Sequence, residues 1–197
     1  MMPEMDGFAF CKKIKTDINT SHIPVILLTA KASDESIITG LDKGADDYIT
    51  KPFSVQILSA RVKNLIKLRQ QLQEKLKNEL LLQPSEIKVS SVDDIFLKKL
   101  HEIIEENLSN PELSIEELSE KFFMSRIHLF RKIKALTGES PSSFLRSYRL
   151  KRAAQLLKQK SGNITEIAFQ VGFNNSAYFA KCFKEQFHQT PSDFQST

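Results

Sequence analysis

Two stretches of this chain repeat one pattern: a short amphipathic helix, a sharp break, and a second amphipathic helix. They occupy residues 114–134 and 163–184. Each opens on a helix-capping residue with a glutamate three positions on, Ser114 with Glu117 and Asn163 with Glu166. The first has the composition of a capping box, in which two side chains satisfy backbone N–H groups left unpaired at a helix start; the Asn version is a looser match. Apolar residues then recur at helical spacing (Ile115, Leu118, Phe122; Ile164, Ile167, Ala168, Val171). Met124-Ser125 breaks the first pair, and Gly172 stands at the second break, where a positive φ suits glycine. Helices meeting steeply across a short turn are the means by which a protein fits one of them into a DNA major groove.

Charge agrees with that expectation. The net charge is only +4. Its distribution is uneven: residues 93–122 hold nine acids against Lys98, Lys99 and Lys121, whereas residues 123–197 hold twelve bases against four acids. The bases gather at Arg126, Arg131, Lys132 and Lys134, at Arg146, Arg149, Lys151 and Arg152, and at Lys181 and Lys184. Such a field is the footprint of a phosphate-backbone binder, although any single lysine is equally at home on a solvated face.

With 197 residues and 41% apolar composition, the chain can bury more than one core. Cys11 and Cys182 stand far apart and suggest neither a disulfide framework nor a metal site. No signal peptide or bilayer-length apolar run is present, so a reducing, cytosolic setting without membrane contact is expected. No glycine-rich phosphate loop, nucleophile pair or metal spacing points to an enzyme, and no cofactor is implied. A protein–protein adaptor is the other alternative, and the basic clusters weigh against it.

Three segments follow along the chain. In the first, residues 6–15 and 33–43 have helical periodicity, and residues 25–29 and 47–50 read as strands. Strands separated by helices predict a parallel sheet with crossovers, although two strands are few for a stable sheet. Residues 54–83 predict one long helix with Leu65, Leu68, Leu72, Leu76 and Leu80 as a narrow stripe. That stripe suits either a dimerising coiled coil or a signalling or linker helix packed on the domain before it. Pro84 and the serines after it mark a break, followed by an acidic helix over residues 93–108.

The C-terminal part, roughly residues 93–197, resembles the AraC/XylS family of DNA-binding domains. The resemblance is carried by I-E-E-L-S, M-S-R-I-H-L-F-R-K-I-K-A-L-T-G, S-P-S-S-F-L-R-S-Y-R-L-K-R-A-A-Q-L-L, I-T-E-I-A-F-Q-V-G-F-N-N-S-A-Y-F-A-K-C-F-K and T-P-S-D-F, all in order and correctly spaced. The N-terminal part, residues 1–64, is similar to the second half of a response-regulator receiver domain through M-M-P-E-M-D-G, I-P-V-I-L-L-T-A and G-A-D-D-Y-I-T-K-P-F. The implied fold is mainly α: a partial α/β, flavodoxin-like receiver remnant, a linker over residues 65–92, and an all-α domain over residues 93–197 with two helix-turn-helix units. The implied function is a sequence-specific transcription regulator, the output part of a two-component phosphorelay. An upstream kinase domain lies in the same or another chain, as at the C-terminal end of a hybrid regulator that can itself be membrane-anchored.

By family position, Thr29 and Lys51 match the hydroxyl and ammonium that contact the acyl phosphate, Tyr48 matches the aromatic switch, and Lys51-Pro52 falls where the family often has a cis peptide. The family's phosphoacceptor aspartate lies two residues before the position of Met1, and its acidic pair earlier still, so no phosphoryl uptake by this sequence alone is expected.

In the DNA-binding part, Leu129, Ile133 and Leu136 form the expected buried stripe of the first recognition helix, leaving Arg126, Ile127, Phe130, Arg131 and Lys134 on other faces. The resemblance turns Ile127, Phe130 and Arg131 towards bases, with Phe130 equally able to be partly core. Arg131 can donate twice to guanine O6 and N7, and Ile127 and Phe130 can meet thymine methyls. His128 is structural or phosphate-facing. In the second unit Phe179, Phe183 and Phe187 form the stripe, and family position turns Ser176, Ala177, Tyr178 and Lys181 towards DNA, with Asn174 or Asn175 as cap. Arg146, Arg149, Lys151 and Arg152 on the helix between the units are phosphate-backbone candidates, one of which can pair with Glu139 or Glu166 instead. Adjacent major-groove entries on one face lie ~34 Å apart, so that helix must hold the spacing or the DNA must bend. Finally, an uncovered strand edge at residues 25–29 beside the leucine stripe predicts self-association through the N-terminal part, most simply as a two-fold dimer.

Overall fold

The fold was analysed as a computed structural model that describes residues 5–30, 34–79 and 91–196. The first segment holds α1 (Gly7–Thr16), β1 (Ile26–Thr29), α2 (Asp34–Asp42) and β2 (Asp47–Thr50). The strands pair in parallel with Ile26 opposite Asp47 and Thr29 opposite Thr50, and no third strand joins them among the described residues. Asp6 caps α1 through its carboxylate. Close helix–sheet approach depends on Gly40, where an added Cβ would stand 2.9 Å from the Tyr48 ring. Tyr48, Ile49 and Cys11 form the small core here.

α3 (Val55–Glu79) follows β2 as one long helix. Its packing departs from both expectations for the leucine stripe. Leu72 is half-buried against the core of the DNA-binding part, and Leu65 and Leu68 flank the same seam, so α3 lies along the following domain. Among the described residues the stripe is thus partly used within the chain; Leu80 and the side chain of Leu76 lie outside them.

Beyond the break come α4 (Ser91–Glu106), α5 (Ile115–Lys121), α6 (Arg126–Thr137), α7 (Pro141–Lys158), α8 (Ile164–Gln170), α9 (Ser176–Phe187) and α10 (Pro191–Ser196). Two cores divide them. Phe96, Leu100, Ile104, Leu118, Leu129 and Ile133 centre the first, and Leu157, Ile167, Val171, Phe179 and Phe183 the second. α7 serves both, giving Leu145 and Tyr148 to one and Leu150, Ala153 and Leu157 to the other. Its start follows from Ser140 as cap and Pro141 in the first turn, after Gly138 ends α6 at φ 77°.

The two helix-turn-helix breaks are built alike. In the first, the N–H of Met124 reaches Ser119 O and that of Phe123 reaches Glu120 O; in the second, Phe173 reaches Ala168 O and Gly172 reaches Phe169 O. Both are Schellman closures, which place one residue in the left-handed region: Phe123 at φ 53° and Gly172 at φ 81°. Capping reverses the sequence expectation. Asn163 and Glu166 complete a reciprocal box, whereas at Ser114 the cap is the single bond from the Glu117 N–H to the serine hydroxyl.

Candidate nucleic-acid interface

The cores decide which sides of α6 and α9 remain open. On α6, Leu129, Lys132, Ile133 and Leu136 are buried, at spacings of three, one and three. Arg126, Ile127, Phe130, Arg131 and Lys134 stand exposed on the remaining faces. Ile127 is 62% and Phe130 42% exposed, large values for apolar side chains, and Phe130 lies on the open side. The Lys134 ammonium sits 5.9 Å from the Phe130 ring centre. Arg126 is held from α5, its guanidinium 2.7 Å from Glu116 Oε1. The helix start is fixed by Ser125, whose Oγ accepts the His128 N–H; His128 is itself exposed.

On α9, Phe179, Cys182 and Phe183 are buried and Phe187 is half-buried. Ser176, Ala177, Tyr178 and Lys181 are exposed. Asn175, of the two candidates, is the cap, accepting the Tyr178 N–H at 2.8 Å. The exposed Arg146 on α7 donates to the Tyr178 hydroxyl at 3.3 Å, which ties the second recognition helix to the bridging helix and holds the guanidinium above its usual range.

Not every basic residue serves this surface. Arg149 is a correction: it is buried, and its guanidinium donates to the carbonyl of Asn110 at the loop after α4. Burial alone lowers its pKa, and no phosphate backbone can reach it without opening the domain. Lys132, counted in the basic cluster, is likewise fully buried. Arg152 bonds Gln155 and lies 3.8 Å from Glu105, while Glu166 is occupied by its own capping box. Lys151 and Arg152 keep part of their surface in solvent.

In the N-terminal part, Thr29 ends β1 and Lys51 follows β2, so parallel pairing brings the two to one end of the sheet, with the Lys51 N–H donating to Thr29 O at 2.6 Å. Lys51 is exposed and its peptide bond to Pro52 is cis. Tyr48 is buried, stacked at 6.5 Å on Phe8.

Sequence reasoning missed the residues behind α6. Lys132 Nζ donates to Asp93 Oδ1 at the start of α4 and to Ser21 Oγ in the turn after α1, and Ser21 Oγ donates to Asp93. Gln73 on α3 donates to Ala135 O at 2.7 Å and to Lys134 O at 3.4 Å. A signal for Lys132 was available, because it stands at i+3 from Leu129 and i−4 from Leu136, on the buried stripe itself. Nothing in the sequence pointed to Ser21 or Gln73.

Residues 118–197 match the family model of the helix-turn-helix domain, and residues 1–63 match that of the response regulator receiver domain. The chain joins part of a receiver domain to an AraC-type helix-turn-helix domain. Over 196 residues it is 46% identical to Histidine kinase P4 of Formosa agariphila, covering 100% of this chain and 14% of that protein. Over 67 residues it is 46% identical to the DNA-binding dual master transcriptional regulator RpaA of Synechocystis sp., covering 34% of this chain and 28% of that one. The C-terminal domain of the two-component response regulator yesN from Fusobacterium nucleatum is a structural neighbour at TM-score 0.47 and 31% identity, over 50% of this chain and 95% of that one. This receiver–helix-turn-helix chain thus spans less than a third of the length of the curated relatives named here. Among the described residues no helix is long and apolar enough to cross a membrane.

Proposed function

We propose that this chain is the DNA-reading end of a larger two-component signalling protein working on the cytoplasmic side. Double-stranded DNA is its direct partner, and a kinase domain in the same chain or another lies upstream. One observation carries the DNA partner: α6 and α9 both leave the side opposite their cores open, and the bases and apolar residues there have the chemistry of base edges and phosphates. Arg131 reads a guanine with two donors, while Ile127 and Phe130 meet thymine methyls. Ser176 and Ala177 let α9 approach closely, with Tyr178, Lys181 and Lys134 setting register on phosphates. Arg126, Arg146, Lys151 and Arg152 add to backbone attraction. The likeness of this whole chain to 14% of the length of a histidine kinase supports a kinase in the same chain. In this reading Thr29 and Lys51, side by side at one end of the sheet, meet an acyl phosphate.

A gel-shift titration of the chain on duplexes selected from a random pool, at rising salt, tests this. Affinity should fall steeply with salt, with a log–log slope of about −0.9 per phosphate contacted. Absence of any selected site, or a flat slope, overturns it.

Self-association through the N-terminal part belongs to the same proposal. On α3, Val55, Val62 and Ile66 stand 79%, 39% and 54% exposed at steps of seven and four, and Leu28 of β1, a strand that pairs on one edge only among the described residues, is 42% exposed. Light scattering should report a dimer that Ile66→Asp converts to monomer. A monomeric parent, or a dimer indifferent to Ile66→Asp, removes this part of the proposal.

A further inference from the structure

The residues behind α6 connect the receiver part directly to the first recognition helix. We propose that Ser21 and Gln73 are positioning residues for DNA reading, by which the receiver part sets where α6 lies. This inference rests on the DNA-binding function proposed above.

The contact has two ends. Near the middle of α6, Lys132 carries a charge into a site with no water access. Its partners are Asp93, which begins the DNA-binding part, and Ser21, which belongs to the receiver part; the Ser21 hydroxyl accepts from Lys132 at 2.7 Å and donates to Asp93 at 2.6 Å. The ammonium also faces the Phe96 ring at 4.9 Å. A buried cation tolerates little displacement of its acceptors, because each lost bond leaves charge without compensation. At the C-terminal end, Gln73 gives its amide to Ala135 O, one of the carbonyls in the last turn of the helix, and at longer range to Lys134 O, which also accepts the Gly138 N–H. The side chain also lies against Gly138, where an added Cβ would come within 3.4 Å of Gln73 Oε1. Leu72 supports the same seam from the neighbouring position.

Arg131 adjoins Lys132 and Lys134 is one of the residues whose carbonyl Gln73 holds. A shift of α3 or of the α1–β1 turn therefore moves the base-facing side of α6 while leaving α9, whose core lies elsewhere, in place. The second unit has no described counterpart of this grip: its recognition helix is tied to α7 through Arg146 and Tyr178. Receiver movement is thus expected to act on one half-site and spare the other.

The test uses the full chain with Ser21→Ala, Gln73→Ala and, as a control on an exposed position of α3, Lys75→Ala. Binding is measured on a selected duplex and on versions scrambled in either half-site, with methylation interference to assign each half-site to α6 or α9. Each of the first two variants should lose about fivefold in affinity, the size of one hydrogen bond's net contribution, and lose it only where the α6 half-site is intact. Melting temperature should stay close to that of the parent in Gln73→Ala and fall somewhat in Ser21→Ala, which strips one acceptor from the buried ammonium, and Lys75→Ala should match the parent throughout. Unchanged half-site profiles in both variants would overturn the proposal, and so would equal losses at both half-sites, which mark general destabilisation. A parent chain that selects no DNA at all refutes the function proposed above instead, so the two failures are distinguishable.

Discussion

Lys132 Nζ lies 2.7 Å from the hydroxyl of Ser21, a residue 111 positions earlier in the chain. The bond crosses from the first recognition helix to the receiver part, and both side chains are almost wholly out of solvent. It places an ammonium where hydration cannot help, beside the carboxylate of Asp93.

The first prediction concerns that charge. Burial lowers the pKa of Lys132, and the hydrogen bond and charge of Asp93 oppose the fall. Lys132→Ala leaves the Asp93 carboxylate buried without its cation, which costs about 3–5 kcal/mol. Replacing both, as Lys132→Met with Asp93→Leu, removes the orphan as well as the pair and should recover most of that loss. Urea unfolding of the single and double variants measures the difference. A double variant as unstable as Lys132→Ala would show that volume, not charge, sets the cost.

A second prediction comes from the two turns. Gly172 has φ 81°, and a Cβ there would stand 2.3 Å from Leu108 O and 2.9 Å from Arg149 Cζ. Gly172→Ala should therefore destabilise by more than about 1 kcal/mol, since backbone strain and a clash with main chain add. Phe123 takes the same conformation but is 92% exposed, with nothing to strike. Phe123→Gly should stay within roughly 1 kcal/mol of the parent. Thermal melts of the two variants provide the comparison.

These pairs show what sequence could and could not disclose. Element types and the recognition-helix faces were legible, because apolar spacing and caps are local properties: Ser140-Pro141 and Gly138 announce α7 before any packing is known. Gly172 announced its turn because a glycine was required there. Phe123 did not announce the equivalent turn, because solvent surrounds it and a strained phenylalanine is tolerated. Arg149 and Lys132 were misread for one reason. Charge was taken to mean surface, while their helical positions, Arg149 four after Leu145 and Lys132 three after Leu129, already placed them on buried stripes. The Ser21 and Gln73 contacts depend on how two domains meet, which no periodicity encodes.

The third prediction is a pH dependence. His22 adjoins Ser21, is 7% exposed, and has an Nδ1 without a hydrogen-bond partner. Its pKa falls from 6.5 to about 4, chiefly through burial and then through the charges of Lys132 and Arg69, with Asp93 opposing and Lys15 adding slightly. The folded chain thus holds His22 neutral while the unfolded chain takes up a proton. Stability contributed this way is complete above pH 6.5 and declines as pH falls towards 4. The decline should amount to up to ~3 kcal/mol. His22→Phe should flatten that part of the curve, as read from denaturant midpoints between pH 4 and 7. A parent curve of unchanged steepness in His22→Phe would move the cause to another group.

The last prediction separates base reading from phosphate attraction. Arg131 is exposed beside Ile127 and Phe130 on the open side of α6, and no acid holds it among the described ion pairs. Arg131→Ala should lower discrimination at one or two base pairs by about 1–3 kcal/mol, because a bidentate contact to guanine is lost there and nowhere else. Arg152→Ala lies off both recognition helices, so it should weaken all sequences alike and reduce the salt slope by about one phosphate. Arg149→Ala must behave differently from both. Its guanidinium is largely buried on a backbone carbonyl, so its removal should lower stability while leaving the salt slope unchanged. Parallel measurement of site-variant affinities, salt slopes and melting curves distinguishes the three. An Arg131→Ala chain that preserves every ratio between site variants would remove Arg131 from base recognition and leave α6 reading through Ile127 and Phe130 alone.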